Sequence, residues 1–268
     1  MFRLLLLLGF IPFCLNVTSQ FEKVFSKNLS YSWYNCDSHK TVYAICGSKL
    51  FKYSPPYITE KIFDLEKDGL PSYIDVNNSN KIVLFYENSQ KIILLDSALH
   101  KIERPFYLEE LGLFEISMVF VSNDMGLWFY NYLNNSLTKL NSSFLPIMPS
   151  INLNPYFQLP HVPNYIVSSA DKIYINVPSY GILVINQNGT YLTAIQLRGL
   201  VDFQVENDIV FHYSDNTIYC HQIKTLQTRR IYIPEEPNTL NAWYYRNQII
   251  VFSKEGFSVY NHDISPTE

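Results

Sequence analysis

A pair of short β-rich runs joined by a polar turn recurs along this chain with a period near forty residues, and this recurrence limits the possible folds more than any other feature. The clearest copies are Lys81-Ile-Val-Leu-Phe-Tyr86 before Lys91-Ile-Ile-Leu-Leu-Asp96, and Lys172-Ile-Tyr-Ile-Asn-Val177 before Gly181-Ile-Leu-Val-Ile-Asn186. Residues 41–45 with 49–53, 126–130 with 136–140, 208–213 with 217–221, and 248–252 with 256–260 read alike, which makes six units. The first apolar residue of each leading run is Val42, Ile82, Leu127, Ile173, Ile209 and Ile249, at spacings of 40, 45, 46, 36 and 40 residues. The dipeptides Gly69-Leu70, Gly112-Leu113 and Gly199-Leu200 each end one unit and open the next, so a second signal supports the same register.

Alternating β-branched and aromatic residues, punctuated by turn clusters such as Asn77-Asn78-Ser79-Asn80, Ser122-Asn123-Asp124 and Asn186-Gln-Asn-Gly189, argue strands rather than βαβ units. Helical periodicity is confined to a short stretch from Leu108 to Leu113. Four strands per period in six periods predict an all-β fold, a six-bladed β-propeller formed by residues 21–268 as one domain. The last unit stops near Tyr260-Asn261-His262-Asp263, one strand short of a full blade. Glu22-Lys23-Val24-Phe25 repeats in kind the outer-strand run Glu60-Lys61-Ile62-Phe63, so the N-terminal strand is expected to complete the last blade and close the ring.

Residues 1–20 read as a signal peptide: Arg3 precedes the apolar run from Leu4 to Leu15, which is too short to span a bilayer, and cleavage is expected after Ser19 or Gln20. Cys14 reads as part of that apolar run, because Phe13 stands where a lipoprotein signal needs a small residue. No later stretch is long and apolar enough to cross a membrane as a helix, so the protein is expected in the periplasm or outside the cell, including the periphery of an outer membrane. With 47% hydrophobic and 16% charged residues the chain is not a disordered segment. A net charge of −4 without any basic run excludes a nucleic-acid footprint. Nine residues separate Cys36 from Cys46, a spacing that would let them face each other on adjacent strands; a disulfide and two buried thiols are both open, and Cys220 has no evident mate.

These features resemble the six-bladed β-propellers of exported bacterial proteins over residues 21 to 264. The segment Asn123-Asp124-Met125-Gly126-Leu127-Trp128-Phe129-Tyr130 is similar to the repeat element of two-component sensor propellers, and one unit carries it. In such a fold the innermost strands line a central channel. Asp75, Glu115, Gln158, Asp202 and Asn241 fall at similar places in their units and are the channel-lining binding candidates. The resemblance to propeller lactonases and lyases implies that such a ring could hold Ca²⁺ through oxygen ligands. With 21 Tyr, 18 Phe and 3 Trp in the chain, Trp128, Tyr130, Trp243 and Tyr244 are candidates for a surface contact patch. His212 and His221 are expected on neighbouring strands of one blade.

No nucleophile elbow, phosphate loop or dinucleotide fingerprint occurs, and no catalytic residue is assigned. The favoured expectation is an exported, non-catalytic propeller that binds a protein or another envelope ligand without a cofactor. The alternatives are a divalent-metal enzyme of the lactonase or lyase kind with its site in the channel, and a sensor or carbohydrate-binding propeller.

Overall fold

The computed structural model describes residues 21–58, 60–157 and 161–262. Residues 1–20, where the sequence leads one to expect a signal peptide, and Gln158 lie outside the described residues. The chain opens with strand β1 (Phe21–Asn28), and blade 1 follows as β2 (Trp33–Cys36), β3 (Val42–Cys46), β4 (Lys49–Tyr53) and β5 (Glu60–Asp64). Blade 2 is β6 (Tyr73–Asp75), β7 (Ile82–Tyr86), β8 (Lys91–Leu95) and β9 (Phe106–Tyr107). A 3-10 turn, Leu108–Leu111, links it to blade 3, which is β10 (Ile116–Val121), β11 (Leu127–Asn131), β12 (Ser136–Leu140) and β13 (Ile151–Asn152). Blade 4 comprises β14 (Tyr165–Ser169), β15 (Lys172–Val177), β16 (Gly181–Asn186) and β17 (Tyr191–Ile195). Blade 5 comprises β18 (Gln204–Glu206), β19 (Ile209–Ser214), β20 (Thr217–Gln222) and β21 (Thr228–Tyr232). Blade 6 takes β22 (Thr239–Tyr245), β23 (Gln248–Ser253) and β24 (Gly256–His262), with β1 as its outermost strand.

Each blade is a four-stranded antiparallel sheet in chain order from the axis outward, and the ring closes through β1 pairing with β24 from Phe21↔His262 to Asn28↔Gly256. Phe21 stacks on the His262 ring at 4.9 Å, and Phe25 packs on Phe257 at 5.8 Å. Lys23 pairs with Glu236 at 2.6 Å and lies over the Tyr260 ring, which ties β1 into the blade it completes. Gly256 holds φ +142, and a Cβ there would lie 2.0 Å from the Lys27 carbonyl oxygen, so the close approach of β1 requires glycine.

The core is divided among six blade-to-blade seams rather than gathered in one centre. Because side chains alternate across a strand, every second pair of the two middle strands faces the next blade. Counted from the hairpin turn, the fourth pair, which is the second that faces the next blade, is Tyr43–Lys52, Val83–Leu94, Trp128–Lys139, Tyr174–Val184, Phe211–Cys220 and Ile250–Val259 from blade 1 to blade 6. Blade 5 therefore carries the smallest second member of that row, Cys220.

The structure decides between the two open readings of Cys36 and Cys46 and corrects the placement of the aromatic candidates. Cys36 pairs with Val42, and Cys46 lies four residues further along β3, a separation of about 13 Å at the strand rise. The two cannot form a bridge, and Cys36, Cys46 and Cys220 are all free thiols. The proposed surface aromatics are buried: Trp128 and Tyr130 are 0% exposed, Trp243 5% and Tyr244 9%. A propeller seam consumes its largest side chains. Trp128 stacks on Phe120 at 6.3 Å with the Lys139 ammonium 5.4 Å from its ring, and Asp124 pairs with that ammonium at 2.7 Å.

Candidate functional site at the channel mouth

The six innermost strands, β2, β6, β10, β14, β18 and β22, surround the axis. Several of their polar side chains bind a different blade. Asp75, 2% exposed, accepts the Val121 amide of blade 3 at 2.6 Å on Oδ2, and the Asn77 amide at 3.0 Å and Nδ2 at 2.7 Å on Oδ1. Gln204 of blade 5 accepts the Tyr244 amide of blade 6 at 2.7 Å and donates to the Tyr244 carbonyl at 3.3 Å. Asn241 donates its Nδ2 to both oxygens of Asp202, at 3.0 and 3.2 Å, and accepts the Ala242 amide on Oδ1 at 2.8 Å. Gln90 grips Ile116 of blade 3 in the same two-handed way as Gln204 grips Tyr244.

Tyrosines occupy the space between these groups. Tyr73 of blade 2 donates to the Ile166 carbonyl of blade 4 at 3.3 Å, passing blade 3. Tyr165 is 8% exposed and stands edge-on to Phe203 at 5.4 Å, near the charges of Asp202 and Asp75. Tyr34 of blade 1 also feels Asp202. Burial pushes both carboxyls upward from their ordinary value, against the N–H donors that pull Asp75 and Asp202 back. Burial likewise raises the Tyr34, Tyr73 and Tyr165 hydroxyls, so all three stay protonated.

Of the channel candidates, Asp75, Asp202 and Asn241 do sit inside the ring. Glu115 does not: it is exposed on the connection that enters β10, where Tyr132 donates its hydroxyl to the Glu115 carboxylate. Among the described residues no three His, Cys, Asp or Glu side chains gather closely enough to hold an ion, so Asp75, Glu115 and Asp202 are not brought together. His212 and His221 do meet, with Nε2 of His221 3.2 Å from Nδ1 of His212 and the rings 5.0 Å apart at centroid.

The open space lies at one end. The first-to-second strand turns, residues 37–41, 76–81, 122–126, 170–171, 207–208 and 246–247, share one face of the ring. A cavity of about 280 Å³ opens there, rimmed by Ser38, Asn77, Asn123, Ser169 and Glu206, over a floor that includes Val167, Phe203 and Trp243. A shallower hollow of about 250 Å³ shares Ser38, Asn77, Asn123 and Ser168 with it. The turns that build this rim are tied by side-chain hydrogen bonds: the Asp37 carboxylate accepts the His39 and Thr41 amides at 2.8 and 3.0 Å, and Asn123 Nδ2 reaches the Ala170 carbonyl on the neighbouring blade. The sequence marks Asn77 and Asn123 as turn residues; their second part, lining the mouth, follows only when the turns are set on one face of a closed ring.

The chain matches no family profile and no curated protein. Solved structures do match. A streptogramin B lyase superposes with a TM-score of 0.59 at 12% identity, covering 91% of this chain and 98% of that one. The extracellular domain of the putative hybrid two-component system BT4673 from B. thetaiotaomicron gives 0.52 at 13% identity over 88% of this chain and 34% of that one. BBS1N, in a complex with ARL6DN, gives 0.51 at 14% identity over 88% and 78%. At such identities the likeness is one of fold, and the fold of this chain is a six-bladed β-propeller.

Proposed function

We propose that this chain is an exported binding propeller that takes a protein or other envelope ligand at the channel mouth, without chemistry of its own. One observation carries this reading: the acids that would serve catalysis or a metal are spent on the scaffold, while the mouth offers a polar rim over an apolar floor. Asp75 holds three N–H groups and Asp202 is held by Asn241, so neither presents a free, charged face to the cavity. Ser38, Asn123 and Ser169 above Val167, Phe203 and Trp243 form the mixed surface that a specific contact needs. Two neighbours of the fold lend support, one an extracellular domain and one bound to a partner protein.

The test compares residues 21–268 with a Ser169→Trp variant, which fills the mouth, and a Val201→Lys variant, whose side chain is 77% exposed and lies away from the mouth. Immobilised protein is challenged with an envelope fraction of the producing cell. Capture of a defined component by the wild type and by Val201→Lys, lost in Ser169→Trp, is the expected result. Equal capture by all three would overturn the mouth as the site. Calorimetry with EDTA and then with Ca²⁺ is the second arm: a metal-dependent rise in the unfolding temperature would replace this reading with the divalent-metal enzyme.

A further inference from the structure

Blade 5 also borders a second, larger space. Between blades 5 and 6 lies a cavity of about 590 Å³, within the size range of small-molecule sites. Its floor is Ile209, Phe211, Cys220, Ile231 and Tyr244, all buried or half-buried, with Phe211 and Tyr244 stacked at 5.5 Å. The space has a local cause. Cys220 stands where the other blades place Lys52, Leu94, Lys139, Val184 and Val259, and the next residue across the sheet, Arg229, reaches outward instead of filling the seam.

The rim is charged on a chain that is acidic overall. Arg229 forms no ion pair among the described residues, while Arg246 pairs loosely with Glu206 at 3.9 Å, the one acid that borders this cavity. Gln222, Gln227 and Asn207 supply neutral donors beside them. The Cys220 thiol is pushed up to about 11 by burial, so it contributes no competing negative charge. Two guanidinium groups above an aromatic and aliphatic floor match one ligand chemistry, an acidic head that accepts paired N–H bonds on a body that prefers to leave water.

We propose that the cavity between blades 5 and 6 binds an organic anion with an apolar body, its acidic head on Arg229 and Arg246 and its body on Phe211, Ile231 and Tyr244. The site is distinct from the channel mouth, although Glu206, Phe211 and Tyr244 border both cavities. Ser169 lines the mouth alone, so Ser169→Trp separates the two readings.

The experiment titrates residues 21–268 with 8-anilinonaphthalene-1-sulfonate, an aromatic anion, and with its neutral counterpart N-phenyl-1-naphthylamine, following fluorescence. The wild type is expected to bind the anion saturably at one site. An Arg229→Gln, Arg246→Gln double variant is expected to bind it about tenfold or more weakly, the loss of charge-assisted hydrogen bonds, while its affinity for the neutral dye stays the same. Both arginines are exposed, so the variant should fold, and an unchanged unfolding temperature verifies this. Bound anion should slow modification of Cys220 by a thiol reagent, located by mass spectrometry, and Ser169→Trp should leave the titration unchanged. Non-saturable binding, an unchanged anion affinity in the double variant, or an equal loss for both dyes would overturn the proposal.

Discussion

The amide of Val121 on blade 3 donates to the buried carboxylate of Asp75 on blade 2 across 2.6 Å, so one side chain of an inner strand completes the backbone of the next. The other Asp75 oxygen receives two donors from Asn77. Asn at this position would turn an amide nitrogen toward N–H groups on one side or the other. Asp75→Asn is therefore expected to lower stability by about 1–3 kcal/mol, the cost of a buried unsatisfied donor, read from the urea midpoint.

The same substitution at Asp202 is expected to act in the opposite direction. Asp202 has a single side-chain donor, Asn241 Nδ2, and an Asn at 202 keeps an oxygen to accept it. Burial holds the Asp202 carboxyl above its ordinary value of 3.8, so the folded chain keeps a proton that the unfolded chain has released. This penalty grows as pH rises from that value through the raised folded value, and is fully present beyond it. Asp202→Asn should raise the unfolding midpoint at neutral pH and lose its advantage near pH 3. A uniform loss of stability at both pH values would show that the Asp202–Asn241 contact holds the ring in its ionised form.

Ring closure rests on a contact that tolerates no side chain. A Cβ on Gly256 would meet the Lys27 carbonyl oxygen at 2.0 Å and the Leu29 amide nitrogen at 2.8 Å, and φ is +142. Gly256→Ala is expected to cost at least about 2 kcal/mol through strain and displacement of β1. Deleting residues 21–29 should destabilise the whole protein further and promote association, because it bares the edge of β24. Thermal unfolding and light scattering read the two effects.

Period, strand identity and closure were legible because each rests on local pattern. The β-rich pairs set the blades, and the kinship of Glu22–Phe25 with Glu60–Phe63 named the outer strand that β1 and β5 occupy. What a side chain faces was less legible, since a polar residue on an inner strand reads the same whether it meets solvent or the neighbouring blade. Asp75 and Asn241 read from sequence as inner-strand polar residues, yet their partners, Val121 and Asp202, lie 46 and 39 positions away. Trp128 and Tyr244 mislead for a related reason: aromatic clusters mark contact surfaces and blade seams alike, and here they fill seams. The cavity beneath Arg229 depends on one small residue, Cys220, set against five larger ones, a difference that appears only once the blades are in register.

His212 offers a pH test of a seam. It stacks on Tyr219 at 5.1 Å and meets His221, and burial together with the neighbouring His221 pushes it down to about 4 from an ordinary value of 6.5. Burial lowers His221 as well. Between about 4 and 6.5 the unfolded chain takes up protons that the folded seam refuses, so this pair supports the fold above that window and withdraws the support as pH falls through it. Phe keeps the ring and its stack on Tyr219 but cannot titrate. The His212→Phe variant should lose less stability than the wild type between pH 7 and pH 4.5, measured as the change in urea midpoint. Both rings remain partly open to solvent, which screens the charge, so the difference should be modest, about 1 kcal/mol or less. A steeper acid loss in the variant would mean that His212 is charged in the folded protein and that the seam accommodates an imidazolium.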